Sequence, residues 1–106
     1  GPVSVGEIPN GAPINFLGLK SENPLRGGSA KLTFGITRRE KVELRVYDVV
    51  GRTIRTLVNR VFPPGEHALE WDGRDDAGAR VASGVYFYQL RTPTFVGQRK
   101  LALLRN

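Results

Sequence analysis

The stretch WDGRDDAGARVASGVYFYQL, residues 71–90, carries the pattern that decides the fold. It begins at the only tryptophan of the chain, passes through three aspartates and three glycines, and ends in an aromatic run. Side chains two residues apart lie on the same face of a strand, so Tyr86, Tyr88 and Leu90 face one way. We expect Trp71 to be a large core residue. We expect Tyr86 to form a tyrosine corner, in which the hydroxyl bonds back to the chain that enters its strand.

The three aspartates of this stretch have two interpretations, a metal site and the tip of a long turn. A calcium loop of the EF-hand type needs an oxygen ligand at its third position, but counting from Asp72 that position is Arg74. A looser Ca²⁺ site formed by Asp72, Asp75 and Asp76 is the weaker interpretation, because Arg74 and Arg80 would repel a cation. Aspartate and glycine are both favoured in turns, so the sequence favours an architectural turn.

Period-two alternation extends outward from this stretch in both directions. The segment 53–62 also has helical spacing, but its β-branched residues and its surroundings favour a strand. Short strands separated by turn signals about every 8 to 12 residues are typical of an Ig-like fold. We therefore predict an all-β, Ig-like antiparallel β-sandwich of about seven strands, at residues 14–20, 31–36, 42–48, 53–62, 67–71, 85–91 and 95–105.

The chain has 106 residues, which fits one domain. Residues 1–13 contain three prolines and three glycines without apolar periodicity, so we interpret them as a linker. Its first two residues, Gly1 and Pro2, resemble the remnant that a tag-removing protease leaves. Residues 14–106 form the predicted domain. No apolar run approaches the roughly 20 residues that a membrane span needs, and no signal-peptide pattern is present.

The formal net charge is +6, from 16 basic and 10 acidic residues. A basic balance favours polyanionic partners in general. However, the basic residues are spread along the whole chain, and no helix or RNA-reading motif accompanies them. The sequence therefore does not predict nucleic-acid binding.

The sequence does not favour an enzyme. His67 is the only histidine and cysteine is absent, so a histidine–cysteine metal site is excluded by count. No serine or aspartate is placed to form a catalytic triad with His67, and the phosphate-binding glycine motifs are missing. We expect a non-enzymatic domain without a cofactor. Exposed aromatic residues such as Tyr47 leave glycan stacking as an alternative.

Four stretches of the chain together resemble a known family. They are Asn23-Pro24 with Gly27-Gly28 and KLTFGI, VYDVVGRTIRTLV (46–58), PPGEHALEWDGRDDAGARVASGVYFYQL (63–90) and RKLALLR (99–105). In this order they resemble the Ig-like domains grouped with the flagellar hook-capping protein's Ig-like domain and the type IX secretion C-terminal sorting domains. The resemblance covers about residues 19–106. The matching motif residues are Asn23, Pro24, Gly51, Gly84, Tyr86, Lys100 and Leu101.

The resemblance implies a sorting and anchoring domain of a larger exported bacterial protein. Its partners would be the outer-membrane type IX translocon and a sortase-like peptidase, which commonly cleaves such domains. The cargo would reach the cell surface or the medium through the periplasm. Related domains also serve as structural appendages or in hook-cap-like assembly, so a structural or adhesive module, including a glycan-binding one, is the alternative.

A sorting domain needs an accessible surface rather than a cleft. We expect residues 95–105 to form an edge strand that a receptor reads by β-augmentation. The chain ends at Asn106, soon after this strand, which fits a signal read at a carboxyl end. Basic side chains there would complement an acidic receptor, and the same charges would protect an exposed edge. The predicted recognition residues are Arg99, Lys100, Leu101, Leu103 and Arg105.

Overall fold

The computed structural model describes residues 14–105, so the linker predicted at residues 1–13 lies outside the described part. All its regular elements are strands, and no helix there is long and apolar enough to cross a membrane. In chain order the strands are β1 (Phe16–Leu19), β2 (Leu25–Arg26), β3 (Ala30–Ile36), β4 (Glu40–Tyr47), β5 (Thr53–Phe62), β6 (Gly65–Trp71), β7 (Gly84–Thr92) and β8 (Phe95–Leu104).

The strands form two sheets that pack as a sandwich. One sheet has three strands in the order β1-β3-β6, and the other has five in the order β2-β8-β7-β4-β5. The pairings are antiparallel, except that the two residues of β2 pair in parallel with β8. The prediction of an all-β, Ig-like sandwich is confirmed.

The strand that the sequence did not predict is β2. It has two residues, Leu25 and Arg26, which is too short for any alternation to be visible. It follows the Asn23–Pro24 peptide bond, which is cis. The segment 53–62, for which helical spacing was the alternative, is a strand over its whole length.

The core lies between the two sheets, and the alternation of the sequence selects its residues. In β4, for example, Val42, Leu44 and Val46 are buried while the residues between them are partly exposed. Burying one such side chain stabilises the fold by about 1.5–3 kcal/mol. The largest side chains that are almost fully buried are Trp71, Tyr88, Phe34, Leu32, Ile36, Leu44, Leu90, Leu101 and Leu103.

The turn between β4 and β5 is built on Asp48. Its carboxylate accepts hydrogen bonds from the backbone N–H groups of Val50 and Arg52, both at 3.0 Å, and from Nε of Arg52 at 2.8 Å. Burial alone would raise the pKa of Asp48, but the hydrogen bonds and the Arg52 charge hold this pKa below its ordinary value of 3.8. Gly51 completes the turn with φ at +88°, a conformation that glycine adopts readily.

Candidate functional site

Two of the three aspartates in the loop between β6 and β7 shape the loop itself. Oδ1 of Asp72 accepts a hydrogen bond from the backbone N–H of Arg74 at 3.1 Å. Oδ1 of Asp75 accepts from the N–H groups of Ala77 and Ala79, at 3.0 and 2.9 Å. Aspartate bonding to nearby backbone is the usual means by which this residue forms turns, so these carboxylates have an architectural role.

Asp76, the third aspartate, joins the loop to β5. Its N–H donates to the carbonyl oxygen of Ile54 at 2.9 Å, and its Oδ1 accepts from the N–H of Thr56 at 3.0 Å. Arg55 lies between these two β5 residues, and its NH1 donates to Oδ1 of Asp72 at 3.2 Å. The loop therefore covers the outer edge of β5 at this point, as exposed sheet edges in stable proteins commonly are.

At the weak calcium candidates Asp72, Asp75 and Asp76, the carboxylates take part in hydrogen bonds within the domain. Their oxygens accept hydrogen bonds from backbone amides and from Arg55. Within residues 14–105, no three acidic, histidine or cysteine side chains lie close enough together to hold a metal ion. The hydrogen bonds of the loop account for its acidic composition without a ligand.

Trp71 and Tyr86 anchor the two ends of this loop in the core. Trp71 is 1% exposed, and its Nε1 donates to the carbonyl oxygen of Arg74 at 2.9 Å. Its ring packs edge-on against Tyr86, with the ring centroids 5.6 Å apart.

The Tyr86 hydroxyl donates to the carbonyl oxygen of Ala82 at 2.6 Å, which is the hydrogen bond of a tyrosine corner. Burial raises the pKa of Tyr86, against the opposing charge of Arg105, so the hydroxyl stays a donor. Gly84, two residues earlier, begins β7.

Arg105 holds the loop from the far end of the chain. Its Nε donates to the carbonyl oxygen of Val81 at 2.7 Å, and its NH2 donates to that of Gly73 at 2.8 Å. The φ angle of Gly73 is +74°, a conformation that favours glycine. A Cβ atom there would lie 2.6 Å from NH2 of Arg105, so the guanidinium would have to shift. The guanidinium of Arg105 thus donates hydrogen bonds to two carbonyl oxygens of the same domain. Arg105 therefore has a structural role in the domain, and its assignment to the receptor-binding set stays a prediction.

Three further residues of the predicted recognition set contribute to the structure of the domain. Leu101 and Leu103 are 1% and 0% exposed, so a receptor does not reach them while the domain is folded. Arg99 lies on the inward side of β8, and its Nε donates to the carbonyl oxygen of Leu17 in β1, which joins the two sheets at their side. Of the five predicted recognition residues, Lys100 alone presents its side chain on the outward face.

Asn23 covers the outer edge of β8. Its Nδ2 donates to the carbonyl oxygen of Lys100 at 3.1 Å, and its Oδ1 accepts from the N–H of Ala102 at 3.1 Å. The parallel pairing of β2 with residues 103–104 continues this cover. The expectation that residues 95–105 form an open edge is therefore wrong for the second half of the strand, where the edge is already paired.

The outward side of the five-stranded sheet carries an excess of positive charge. We call this surface the basic face; alternation along β2, β4, β7 and β8 places on it Arg26, Lys41, Glu43, Arg45, Arg91 and Lys100. Nε of Arg45 lies 3.2 Å from Oε1 of Glu43, so these two charges largely neutralise each other. The other four cations are exposed. The charges on the outward side of the three-stranded sheet balance instead. Two lysines, Lys20 and Lys31, lie there with two glutamates, Glu66 and Glu70, and Lys31 is directly opposite Glu70.

The basic face also holds most of the exposed large apolar side chains. Of the seven that residues 14–105 contain, four lie on this face and two lie in the adjacent β4–β5 turn. The four are Val61, Val85, Val96 and Leu104, which are 46%, 38%, 51% and 41% exposed. The outward side of the three-stranded sheet holds none of the seven. Exposed apolar groups that gather on one surface commonly mark an interaction site.

A shallow depression lies on the basic face beside the β4–β5 turn. It has a volume of about 400 Å³, and Tyr47, Phe87, Gln89 and Gln98 are among its lining residues. Nε2 of Gln89 donates to Oε1 of Gln98 at 3.3 Å. Aromatic rings beside amide groups offer both stacking and hydrogen bonding to a ligand.

His67 packs among aromatic rings at one end of the sandwich. Its ring lies against those of Phe34 and Phe62, with centroid distances of 5.2 and 4.9 Å. Its Nε2 lies 2.8 Å from the carbonyl oxygen of Pro63. Because a carbonyl oxygen only accepts, this nitrogen carries the proton. These contacts give His67 a packing role.

Sequence reasoning missed the basic face and the structural role of Arg105. The face could have been found, since strand alternation puts Arg91 and Lys100 opposite to the buried Leu90 and Leu101. The role of Arg105 could not, because its carbonyl partners are 24 and 32 residues away in sequence.

A family model described as the FlgD Ig-like domain matches residues 22–93. This range is more than half of the chain and runs from β2 to the end of β7. A comparison with curated proteins gave no match.

Two solved structures from Porphyromonas gingivalis have a similar fold. One is PorZ, described as an essential bacterial surface component of the type IX secretion system; it is 24% identical over 86% of this chain, with a TM-score of 0.56. The other is dimeric latent PorU, 19% identical over 98% of this chain, with a TM-score of 0.64. The chain spans 11% of the length of PorZ and 10% of that of PorU. At these identities the likeness shows a shared fold.

Proposed function

The chain belongs to the FlgD Ig-like domain family, and we propose that it is a sorting and anchoring domain of a larger exported bacterial protein. In this proposal the type IX secretion machinery recognises the folded domain, and a sortase-like peptidase acts on it at the outer membrane. The role is one of protein recognition without catalysis. The attached protein would reach the cell surface or the medium through the periplasm.

The observation that carries this proposal is the recurrence of the fold in PorZ, a surface component of the type IX system. The domain corresponds to about a tenth of PorZ in length, which is the size of one module among several. A module of this kind contributes binding, since its rigid sandwich offers exposed sheet faces and loops fixed by hydrogen bonds.

The contacts described above limit which side chains of the predicted set a receptor could touch. Leu101 and Leu103 are core residues, and Arg99 and Arg105 bond to carbonyl groups within the domain. In this proposal, recognition of the native domain uses accessible side chains such as Lys100 and not the buried leucines. Deletion of residues 99–106 would remove core residues as well, so a loss of export after this deletion would not separate unfolding from loss of a signal.

The test is export of a reporter that carries the intact chain at its carboxyl end. The reporter, with its own signal peptide, is expressed in a bacterium that has type IX machinery and in a translocon-deficient strain of the same species. We expect the reporter on the surface or in the medium of the first strain and in the periplasm of the second. Periplasmic retention of a folded, protease-resistant fusion in the competent strain would contradict the proposal.

Glycan binding by an adhesive module is the second candidate function. It is favoured by the depression in which Tyr47 and Phe87 lie beside two glutamine amides. Chemical shifts of the labelled domain, titrated with neutral and acidic oligosaccharides, would test it. If the domain binds glycans there, shifts should cluster at the depression and disappear in Tyr47→Ala. Unchanged spectra with every sugar would remove this candidate.

A further inference from the structure

We propose that the basic face is a docking surface for an acidic protein partner that has apolar side chains at the centre of its own interface. This inference deepens the proposed function, because it names the surface by which a receptor would recognise the domain. It rests on the charge and on the exposed apolar side chains of the five-stranded sheet.

Charge distinguishes the two outward sides of the sandwich. The basic face carries four exposed cations outside its one close ion pair, whereas the three-stranded side carries two lysines balanced by two glutamates. Complementary charge steers association and disfavours wrong partners. An acidic partner would therefore approach the five-stranded side in preference to the other.

The cations of the basic face lie beside apolar and aromatic groups. Lys100 is directly opposite Phe87 in the β7–β8 pairing, and Phe87 is opposite Tyr47 in the β4–β7 pairing. At the other end of the face, Arg91 is directly opposite Val96. Each end thus combines a basic side chain with apolar surface, with the glutamine pair between the two ends.

This combination favours a protein partner over a polyanionic glycan or a lipid surface. The centres of protein interfaces are enriched in tyrosine, phenylalanine and arginine and depleted in lysine and acidic residues, while their rims are polar. A glycan or phosphate chain would use the cations, but it would leave Val85, Val96 and Leu104 exposed to water. Covering these side chains gains free energy only with a partner that is itself apolar.

Both edges of the five-stranded sheet are already covered in part. The outer edge of β8 is paired with β2 and Asn23, and part of the β5 edge is covered by Asp76. The sheet face between these two edges is the broad surface that has both charge and apolar groups.

The experiment uses the isotope-labelled full chain and two synthetic peptides. Both peptides have a Phe-Val-Phe centre, which is flanked by aspartates and glutamates in one and by lysines in the other. We expect the acidic peptide to shift the resonances of β7 and β8 residues on the basic face and the lysine peptide to leave them unchanged. The double variant Arg91→Glu/Lys100→Glu should bind the acidic peptide about tenfold more weakly.

The matched control is Lys20→Glu/Arg38→Glu, which makes the same change of net charge at exposed positions away from the basic face. We expect its affinity for the acidic peptide to stay within about twofold of that of the unaltered chain. Equal weakening in both double variants would overturn the proposal, because it would show attraction by net charge alone. Phe87→Ser should also weaken binding, and an unchanged affinity would remove the apolar part of the proposal.

The last part of the experiment titrates the domain with a sulfated glycan and with vesicles of anionic phospholipid. If either one binds the basic face while the acidic peptide does not, a protein partner is excluded. Failure of the docking surface and failure of the proposed function are distinguishable, because the binding assay needs no secretion machinery. Peptide binding without reporter export would overturn the sorting role alone, and export that is unaffected by Arg91→Glu/Lys100→Glu would overturn the docking surface alone.

Discussion

At the scale of single residues, the loop between β6 and β7 depends on side chains from three other elements. Arg55 comes from β5, Tyr86 from β7 and Arg105 from the residue after β8. Each one donates to an oxygen of the loop, and hydrogen bonds from charged donors are stronger than neutral ones. The loop is thus fixed by its surroundings as well as by its own aspartates.

Replacement of Arg105 with methionine tests this dependence. Methionine replaces the aliphatic part of the arginine side chain but has no N–H group. The carbonyl oxygens of Val81 and Gly73 therefore lose their donor. We expect the free energy of unfolding to fall by about 2 kcal/mol, measured by urea denaturation. Arg91→Met, on the exposed side of β7, is the control and should change stability by less than about 0.5 kcal/mol. Equal effects of the two changes would contradict the role assigned to Arg105.

Asp48 predicts a dependence of stability on pH. Its pKa is lower in the folded protein than its ordinary value of 3.8, so its ionised form stabilises the fold at pH values above that value. This contribution is lost as the pH falls below about 4 toward the folded-state pKa. Asp48→Asn should therefore lower the denaturation midpoint at pH 7 and have a smaller effect at pH 3. Equal destabilisation at both pH values would show that the Asp48 charge is not responsible.

At the scale of elements, alternation was a sufficient guide to most of the strands, whereas β5 also needed its β-branched content and its surroundings. It also indicates that Leu101 and Leu103 are inward, since they continue the buried side of β8. Both were assigned to the recognition set as part of the predicted edge strand, but neither side chain is accessible in the folded domain. The cover of β8 by Asn23 was not predictable, because the residues it bonds lie 77 and 79 positions away in sequence. Local patterns determine which face a side chain takes, whereas these long-range contacts depend on the packed sandwich.

Two adjacent leucines of β8 give a direct test of this assignment. Leu103 is 0% exposed and Leu104 is 41% exposed. We expect Leu103→Ala to cost about 2–5 kcal/mol of the free energy of unfolding, because it leaves a cavity in the core. Leu104→Ala should cost less than about 1 kcal/mol. Thermal and urea denaturation of both variants would show the difference, and similar losses would contradict the inward placement of Leu103.

At the scale of the whole molecule, the two outward sides of the sandwich differ in charge and in apolar exposure. The five-stranded side has both the free cations and the exposed valines, while the lysines and glutamates of the three-stranded side balance. A net charge of +6 alone does not convey this asymmetry. It arises because two sheets with different outward residues pack back to back.

The difference in charge between the two outward sides can be measured by retention on a cation-exchange matrix. Arg91→Glu/Lys100→Glu and Lys20→Glu/Arg38→Glu have the same net charge. We expect the first variant to elute at lower salt, because a protein binds a charged surface through its most complementary side. Co-elution of the two would indicate that the cations of the basic face do not act as a group.

The bonds of Arg105 to Gly73 and Val81 have a consequence for the order in which the chain becomes complete. Ribosomes and translocons both release polypeptides gradually, and the loop at residues 72–83 cannot acquire its final donor until β8 has emerged. A polypeptide interrupted before β8 would lack core leucines as well as this arginine. Under the docking proposal, a partner that recognises the native sandwich would therefore bind only polypeptides in which β8 has already been made.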